Sequence, residues 1–472
     1  MRLILLTLSF VLSLVLSLPT TPKAPSEDDF YIAPDDIENY KLGDIIRYRN
    51  TPAQLRGIIF PINIKNSWQL LIRSEDSFGN PNAFVSTIME PYDADPNKVI
   101  SYQTFEDSTN LDCSASYGFL YGASMSTFNT QIDMTLITLA LQKGYYVVSP
   151  DYEGFKSTWT VGRQSGYATL NSIRATLKSG NLTGINSDAK VAMWGYSGGS
   201  LASGWANVFL NSYAPEIEDK VIGTALGGFF TNVTAMFEVV DGGIAAGLTP
   251  IALTGLTNEY PNITDLLYQN VGPNQRVNIE DAKNHCLIGS LIKYFDANIF
   301  SGNNPSIPGG FEVLKIPAIN QVIQENCLLN LDVSKYKPTT PVFIYQGTLD
   351  QILPIKDSKK AYQQWCDAGV SSVEFAEDLL NGHITEYLVG APAAWTWIEN
   401  RFAGIPPVKG CSHTVRAENL FYPNVSKATY DYFEGLIDAF SFAKIGYQGL
   451  SSDNVSNSDF QDFLTSIENY FN

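Results

Sequence analysis

Residues 195–199 read Gly-Tyr-Ser-Gly-Gly, a G-x-S-x-G spacing with one serine, Ser197, between two glycines. The run before it, "KVAMW", is short and strand-forming, and "GSLASGWANVFLNSY" after it is helix-forming, so the serine stands on a strand-to-helix turn. A turn that sharp leaves no room for side chains at its flanks, which pushes the hydroxyl out of the sheet. It also puts the Gly198 backbone N–H at a helix start, where it can donate to a developing oxyanion. The chemistry this favours is nucleophilic attack by Ser197.

A serine hydroxyl needs a base to take its proton, and the base needs a carboxylate to orient it. The chain has three histidines. If nucleophile, acid and base follow in that order, His285 comes too early, and it sits beside Cys286. His413 lies in a loop-rich stretch next to Cys411. His383 follows the strand-like "SSVEFAEDL", with a glycine before it and helix formers after it, and is the expected base. For the acid, "TTPVFIYQGTLDQILP" supplies a strand, a glycine turn and then Asp350. Of its rivals, Asp357 falls inside a helix expected to begin at Pro354, and Asp378 is too close to His383 on the same loop.

These groups need a scaffold. "GDIIRYRN", "SWQLLIRSED" and "NAFVSTIMEP" predict an antiparallel edge. From "KVISYQTFEDSTN" onward strands alternate with helices ("FNTQIDMTLITLALQKG", "SGYATLNSIRATLKSG"), the rhythm of a parallel sheet covered on both faces. In such a sheet, reactive groups gather at the C-terminal strand ends.

About a hundred residues separate "KVIGTALGGFF" from "PVFIYQG", too many for a loop in a compact core. They are apolar, glycine-interrupted and weakly periodic, which suggests a helical lid lining an apolar trough, with Gly247 and Gly255 as places where a chain could pass.

Composition narrows the function. A net charge of -18 argues against nucleic acid and anionic membrane as partners. The first residues, one arginine and an apolar run from Leu3 to about Leu18, predict a secretory signal peptide rather than a membrane anchor, and the mature protein is expected to be secreted and extracellular. Sequons at Asn181, Asn232, Asn262, Asn424 and Asn454 fit export. Five cysteines allow two disulfides with one left over; their spacing does not choose the pairs and suggests no metal.

Five motifs in order, "SYQTFEDSTNLDCSASYG", "YYVVSPDYEGFKS", "GYSGGS", "QGTLDQILP" and "GHITE", resemble the secreted lipases of Candida yeasts, the Candida antarctica lipase A-like family. The resemblance implies an α/β-hydrolase core with a mostly parallel sheet, an inserted, mostly helical cap, and hydrolysis of triacylglycerols and other lipid esters at a lipid–water interface, with no cofactor. It implies Ser197, Asp350 and His383 as the triad, and Asp107 and Gly198 as the oxyanion hole. It also implies disulfides Cys113–Cys286 and Cys366–Cys411, with Cys327 free. Asp107 would donate through its backbone N–H or through a protonated side chain, since an ionised carboxylate would repel an oxyanion.

The expected organisation is a signal peptide over 1–18, core over 19–231, cap over 232–330, core again over 331–407, and a C-terminal flap and tail over 408–472, in a monomer without a transmembrane anchor. A serine peptidase of the same fold would need a pocket for a peptide terminus or a charged side chain, which no motif marks. A non-catalytic secreted glycoprotein is disfavoured by the complete set of reactive residues.

Overall fold

The strands that read as unbroken apolar runs are the ones buried on both faces. Tyr145–Pro150 and Val342–Gly347 are buried throughout, as interior strands between helical layers must be. The structure, a computed structural model, describes residues 21–427 apart from 59 and 274. The expected signal peptide, the sequon at Asn454 and most of the expected flap and tail lie outside the described residues.

Ten strands form one sheet: β1 (Ile45–Asn50), β2 (Asn66–Glu75), β3 (Pro81–Glu90), β4 (Asp95–Gln103), β5 (Tyr145–Pro150), β6 (Lys190–Tyr196), β7 (Val221–Gly227), β8 (Val342–Gly347), β9 (Ser372–Asp378) and β10 (Gly410–Arg416). Their spatial order is β1-β2-β3-β5-β4-β6-β7-β8-β9-β10. The first three strands pair antiparallel with one another and with β5; every other pairing is parallel.

Alternation along the strands separates two cores. Val191 and Met193 of β6 pack with Leu170 and Ile173 of α2 (Gly162–Lys178) and Leu201 and Trp205 of α3 (Gly198–Tyr213). Ala192, Trp194 and Tyr196 face the other way, toward Ile137 and Leu141 of α1 (Phe128–Gln142). Each such fully buried large side chain contributes about 1.5–3 kcal/mol. Register then levels the strand ends: Gln103 lies opposite Gly195, Tyr196 opposite Gly227, Gly227 opposite Tyr345, and Gly347 opposite Asp378. The loops leaving β4, β6, β8 and β9 therefore start in one row, at the sheet edge where ligands bind in this architecture.

Between β7 and β8 the chain forms helices, including α4 (Val233–Val240), α5 (Leu248–Glu259) and α6 (Pro317–Glu325), whose apolar residues join the first core. Two expectations change here. A Cβ on Gly247 would press on the Ser290 carbonyl, and one on Gly255 would overlap the Trp159 carbonyl. Both glycines let backbones approach one another, so neither opens a passage for a chain. And the stretch expected as a flap from 408 begins as β10, which extends the sheet beside β9. Its outward residues are exposed and none is fully buried, whereas β8 and β9 are buried throughout.

Candidate active site

Ser197 sits between β6 and α3 at φ 54° and ψ −123°, a conformation costing about 1–3 kcal/mol that the surrounding structure must hold. The glycines make it possible. A Cβ on Gly195 would overlap the Gly199 carbonyl, and one on Gly199 the Gln103 carbonyl.

The Ser197 hydroxyl lies 2.8 Å from His383 Nε2, and His383 Nδ1 lies 2.9 Å from Asp350 Oδ2. His383 opens the helix α8 (His383–Val389), following the α7 helix (Ile355–Asp367) and β9, while Asp350 stands in the loop after β8. Asp350 is held from several sides. Gln346 Nε2 donates to its Oδ2, and the backbone N–H groups of Ile352 and Leu353 donate to its Oδ1. Burial alone would raise its pKa, but the His383 charge and hydrogen bond with these N–H groups outweigh burial and hold it below the usual carboxylate range. The backbone that carries the imidazole is fixed in turn: the His383 backbone N–H donates to Gln351 Oε1, and Tyr196 Oη donates to the His383 carbonyl.

Beside the hydroxyl, the Gly198 N–H opens α3 without an intrahelical acceptor. Asp107, buried and at φ 47°, brings its carboxyl so close that a Cβ on Gly198 would overlap Oδ1. Burial pushes the Asp107 carboxyl up to about 7, against smaller opposing effects of the Trp159 indole and His383. Neither Asp107 Oδ1 nor Trp159 Nε1 has a hydrogen bond of good geometry. The backbone N–H of the next residue, Ser108, turns the other way, toward Glu153 Oε2 at 3.4 Å.

The other weighed groups are engaged elsewhere. His413 Nε2 lies 2.7 Å from Glu377 Oε2, and His285 faces Asp281 at 3.4 Å. Asp357 accepts from Asn232 Nδ2, and Asp378 accepts from the N–H groups of Leu380, Asn381 and Asn419. Disulfides join Cys113 to Cys286 and Cys366 to Cys411; Cys327 is free and buried, its thiol pushed up to about 11 by burial. The first bridge ties the segment after Asp107 to the helical insertion. Asn181, Asn262 and Asn424 are exposed, whereas half-buried Asn232 caps α4 with its side-chain oxygen. Among the described residues no group of three His, Cys, Asp or Glu side chains is placed to hold a metal, and no helix is long and apolar enough to cross a membrane.

Residue-level reasoning missed the groups that hold the site: Tyr196, Gln346, Gln351 and Glu153. The signal was present, since Gln346 and Gln351 flank the acid in "QGTLDQILP" and Glu153 lies in "YYVVSPDYEGFKS". Glu153 belongs to a set of buried acids with Glu106 and Asp151 that has no ion-pair partner among the described residues. Burial raises all three, Asp151 to about 7 and the glutamates well above their ordinary range. Unfolded, such groups titrate near 4, so from about pH 4 to beyond 7 the folded protein binds more protons than the unfolded chain. Stability must fall as pH rises through that window. We expect the calorimetric Tm to decline between pH 5 and 8, and Glu153→Gln to flatten the decline; a Tm that climbs with pH would contradict the assignment.

The sheet order and this site define the class: an α/β-hydrolase with a serine at the turn after its central strand. The family model for secretory lipases matches residues 120–410. Lipase 1 of Candida albicans is 54% identical over 464 residues, covering 98% of each chain, and Lipase 7 of the same organism is 38% identical over 412 residues, covering 87% of this chain and 92% of that protein. Candida antarctica lipase A superposes with a TM-score of 0.78 at 27% identity, covering 88% of this chain and 95% of that one. The rice cell wall degrading esterase LipA from Xanthomonas oryzae shares the fold at 15% identity and a TM-score of 0.57. The chain belongs to the secretory lipase family. It is a lipase, a hydrolase of ester bonds.

Proposed function

We propose that this lipase is secreted, loses residues 1–18, and as a monomer cleaves triacylglycerols at a lipid–water interface through an acyl-enzyme on Ser197. The observation that carries this reading is the unbroken line from the Ser197 hydroxyl through both imidazole nitrogens to Asp350. His383 Nε2 takes the hydroxyl proton as Oγ bonds to the ester carbon, and the carbonyl oxygen becomes an oxyanion facing the Gly198 N–H and the Asp107 carboxyl. The imidazolium, oriented and stabilised by Asp350, then protonates the departing glycerol oxygen as the ester C–O bond breaks. Water repeats the sequence and frees the fatty acid.

The helices between β7 and β8 are proposed as the cap, their apolar residues lining an acyl trough worth about 0.8 kcal/mol per methylene buried. The test compares a long-chain triacylglycerol emulsion, a soluble p-nitrophenyl ester and a peptide amide. Turnover of both esters and not the amide is expected; turnover of the amide would favour a peptidase.

Exposed apolar side chains gather where the catalytic loops emerge: Leu349, Leu379, Leu380, Ile384 and Leu388. A lipid surface is the partner they suit, each leucine contributing about 1.5–3 kcal/mol if fully withdrawn from water. The double variant Leu380→Asp, Leu388→Asp should lose at least about tenfold in emulsion hydrolysis while soluble-ester turnover holds, corresponding to about 1.4 kcal/mol or more of lost adsorption. Equal losses on both substrates would place these leucines in folding rather than docking.

A further inference from the structure

Glu386 ends the "GHITE" motif, one helical turn beyond His383 on α8. A glutamate there would ordinarily face solvent near the helix N-terminus. This one is fully buried, and the helix closes over it so tightly that a Cβ on Gly390 would overlap its Oε1. Oε1 accepts from Asn419 Nδ2 at 2.6 Å, whereas Oε2 is buried with no donor facing it. Asn419 joins it to a second carboxyl, that of fully buried Asp378: the Asn419 N–H donates to Asp378 Oδ2 at 2.7 Å while its Nδ2 holds Glu386 Oε1.

The two acids are not equivalent. Asp378 is surrounded as an anion should be: the N–H groups of Leu380 and Asn381 reach Oδ1, that of Asn419 reaches Oδ2, and Asn381 Nδ2 reaches both. Glu386 has one donor. Asp350 from the loop after β8, Tyr196 at the end of β6 and Tyr345 of β8 also act on it or lie beside it and carry no positive charge; His383, one turn earlier on α8, can carry one, but its Nδ1 is engaged by Asp350. The ion pairs of this region belong to Glu377 and Asp350 instead. Two buried carboxylates without a cation would repel, and an orphan oxygen against a saturated carboxylate is the arrangement of a carboxylic acid donating its O–H.

We infer that Glu386 is a positioning residue whose carboxyl keeps its proton, donates it to Asp378, and thereby holds the loop that presents His383 to Ser197. Burial and the Asp378 charge hold the Glu386 proton well above the ordinary range, in agreement. The pair also reaches the acid loop: the Thr348 N–H donates to the Asp378 carbonyl and the Leu349 N–H to that of Asn381. Removing the proton sets two anions against each other under α8 and loosens the imidazole.

This rests on His383 as the base, so His383→Ala is the control. In Glu386→Ala, kcat should fall about 10²-fold, the size of a small misplacement of a catalytic group, with KM changing far less. Glu386→Gln, whose amide N–H can still be donated to Asp378, should recover most of that loss. With Asp107→Asn in both proteins, so that the decline set by Asp107 is removed, the glutamine variant should also keep activity further to the alkaline side than the protein with Glu386 does. Infrared difference spectra at neutral pH should show a protonated-carboxyl carbonyl stretch in the wild type that Glu386→Gln lacks, a readout that holds even if the alanine variant does not fold. A glutamine variant as poor as alanine, superimposable alkaline limbs, or no such band would each overturn the inference. Activity surviving in His383→Ala would instead overturn the triad on which it stands.

Discussion

Ser197→Ala and His383→Ala should each lower kcat for ester hydrolysis by about six orders of magnitude, and the double variant should be hardly worse than either, because nucleophile and base act as one unit. The magnitude follows from the geometry. The hydroxyl is 2.8 Å from the nitrogen that must take its proton, and the other nitrogen is held by a buried carboxylate, so loss of either partner leaves nothing to replace it. Folding should survive, since alanine at 197 removes one hydroxyl from an elbow shaped by its glycines. The check is single-turnover kinetics on a p-nitrophenyl ester, with circular dichroism to show the fold. His413→Ala should leave kcat almost unaltered, because His413 pairs with Glu377 on the sheet edge. Equal losses at 383 and 413 would reverse the assignment of the base.

Asp107→Ala should cost about 2.7–4 kcal/mol of transition-state stabilisation, or about 10²–10³ in kcat, the loss of one oxyanion donor. Asp107→Asn should retain clearly more. We expect the side chain to be the donor: the N–H of the next residue, Ser108, is spent on Glu153, while the Asp107 carboxyl, pushed up to about 7 by burial, sits against Gly198. A group with that pKa holds its proton in acid and loses it as pH rises through about 7, leaving a negative charge where the oxyanion must form. Wild-type kcat should therefore decline above about 7, and Asp107→Asn should not share that decline. Identical behaviour of the alanine and asparagine variants across the pH range would return the role to the backbone.

Much of this molecule was legible in its linear order because the governing interactions are local. Glycines two residues either side of Ser197 shape the elbow whatever the rest of the chain does. Apolar runs such as "YYVVSP" announce strands buried on both faces, and the succession Ser197, Asp350, His383 follows from which strands precede them. Other features depend on partners far away in the chain. The strand β10 is pinned to the sheet by β9 and by the Cys366–Cys411 bridge, and its own side chains carry little apolar signal. Gly247 and Gly255, suggestive of a passage when read alone, turn out to be contact points with Ser290 and Trp159. The place of the Asp107 carboxyl was open until Gly198 was seen against it, and a proton on Glu386 can be inferred only when Asp378 and Asn419 are brought alongside. Turn shape and strand burial are set by neighbours in sequence and by hydrophobic period, whereas protonation and donor direction are set by desolvation and by the field of groups that only the folded chain assembles.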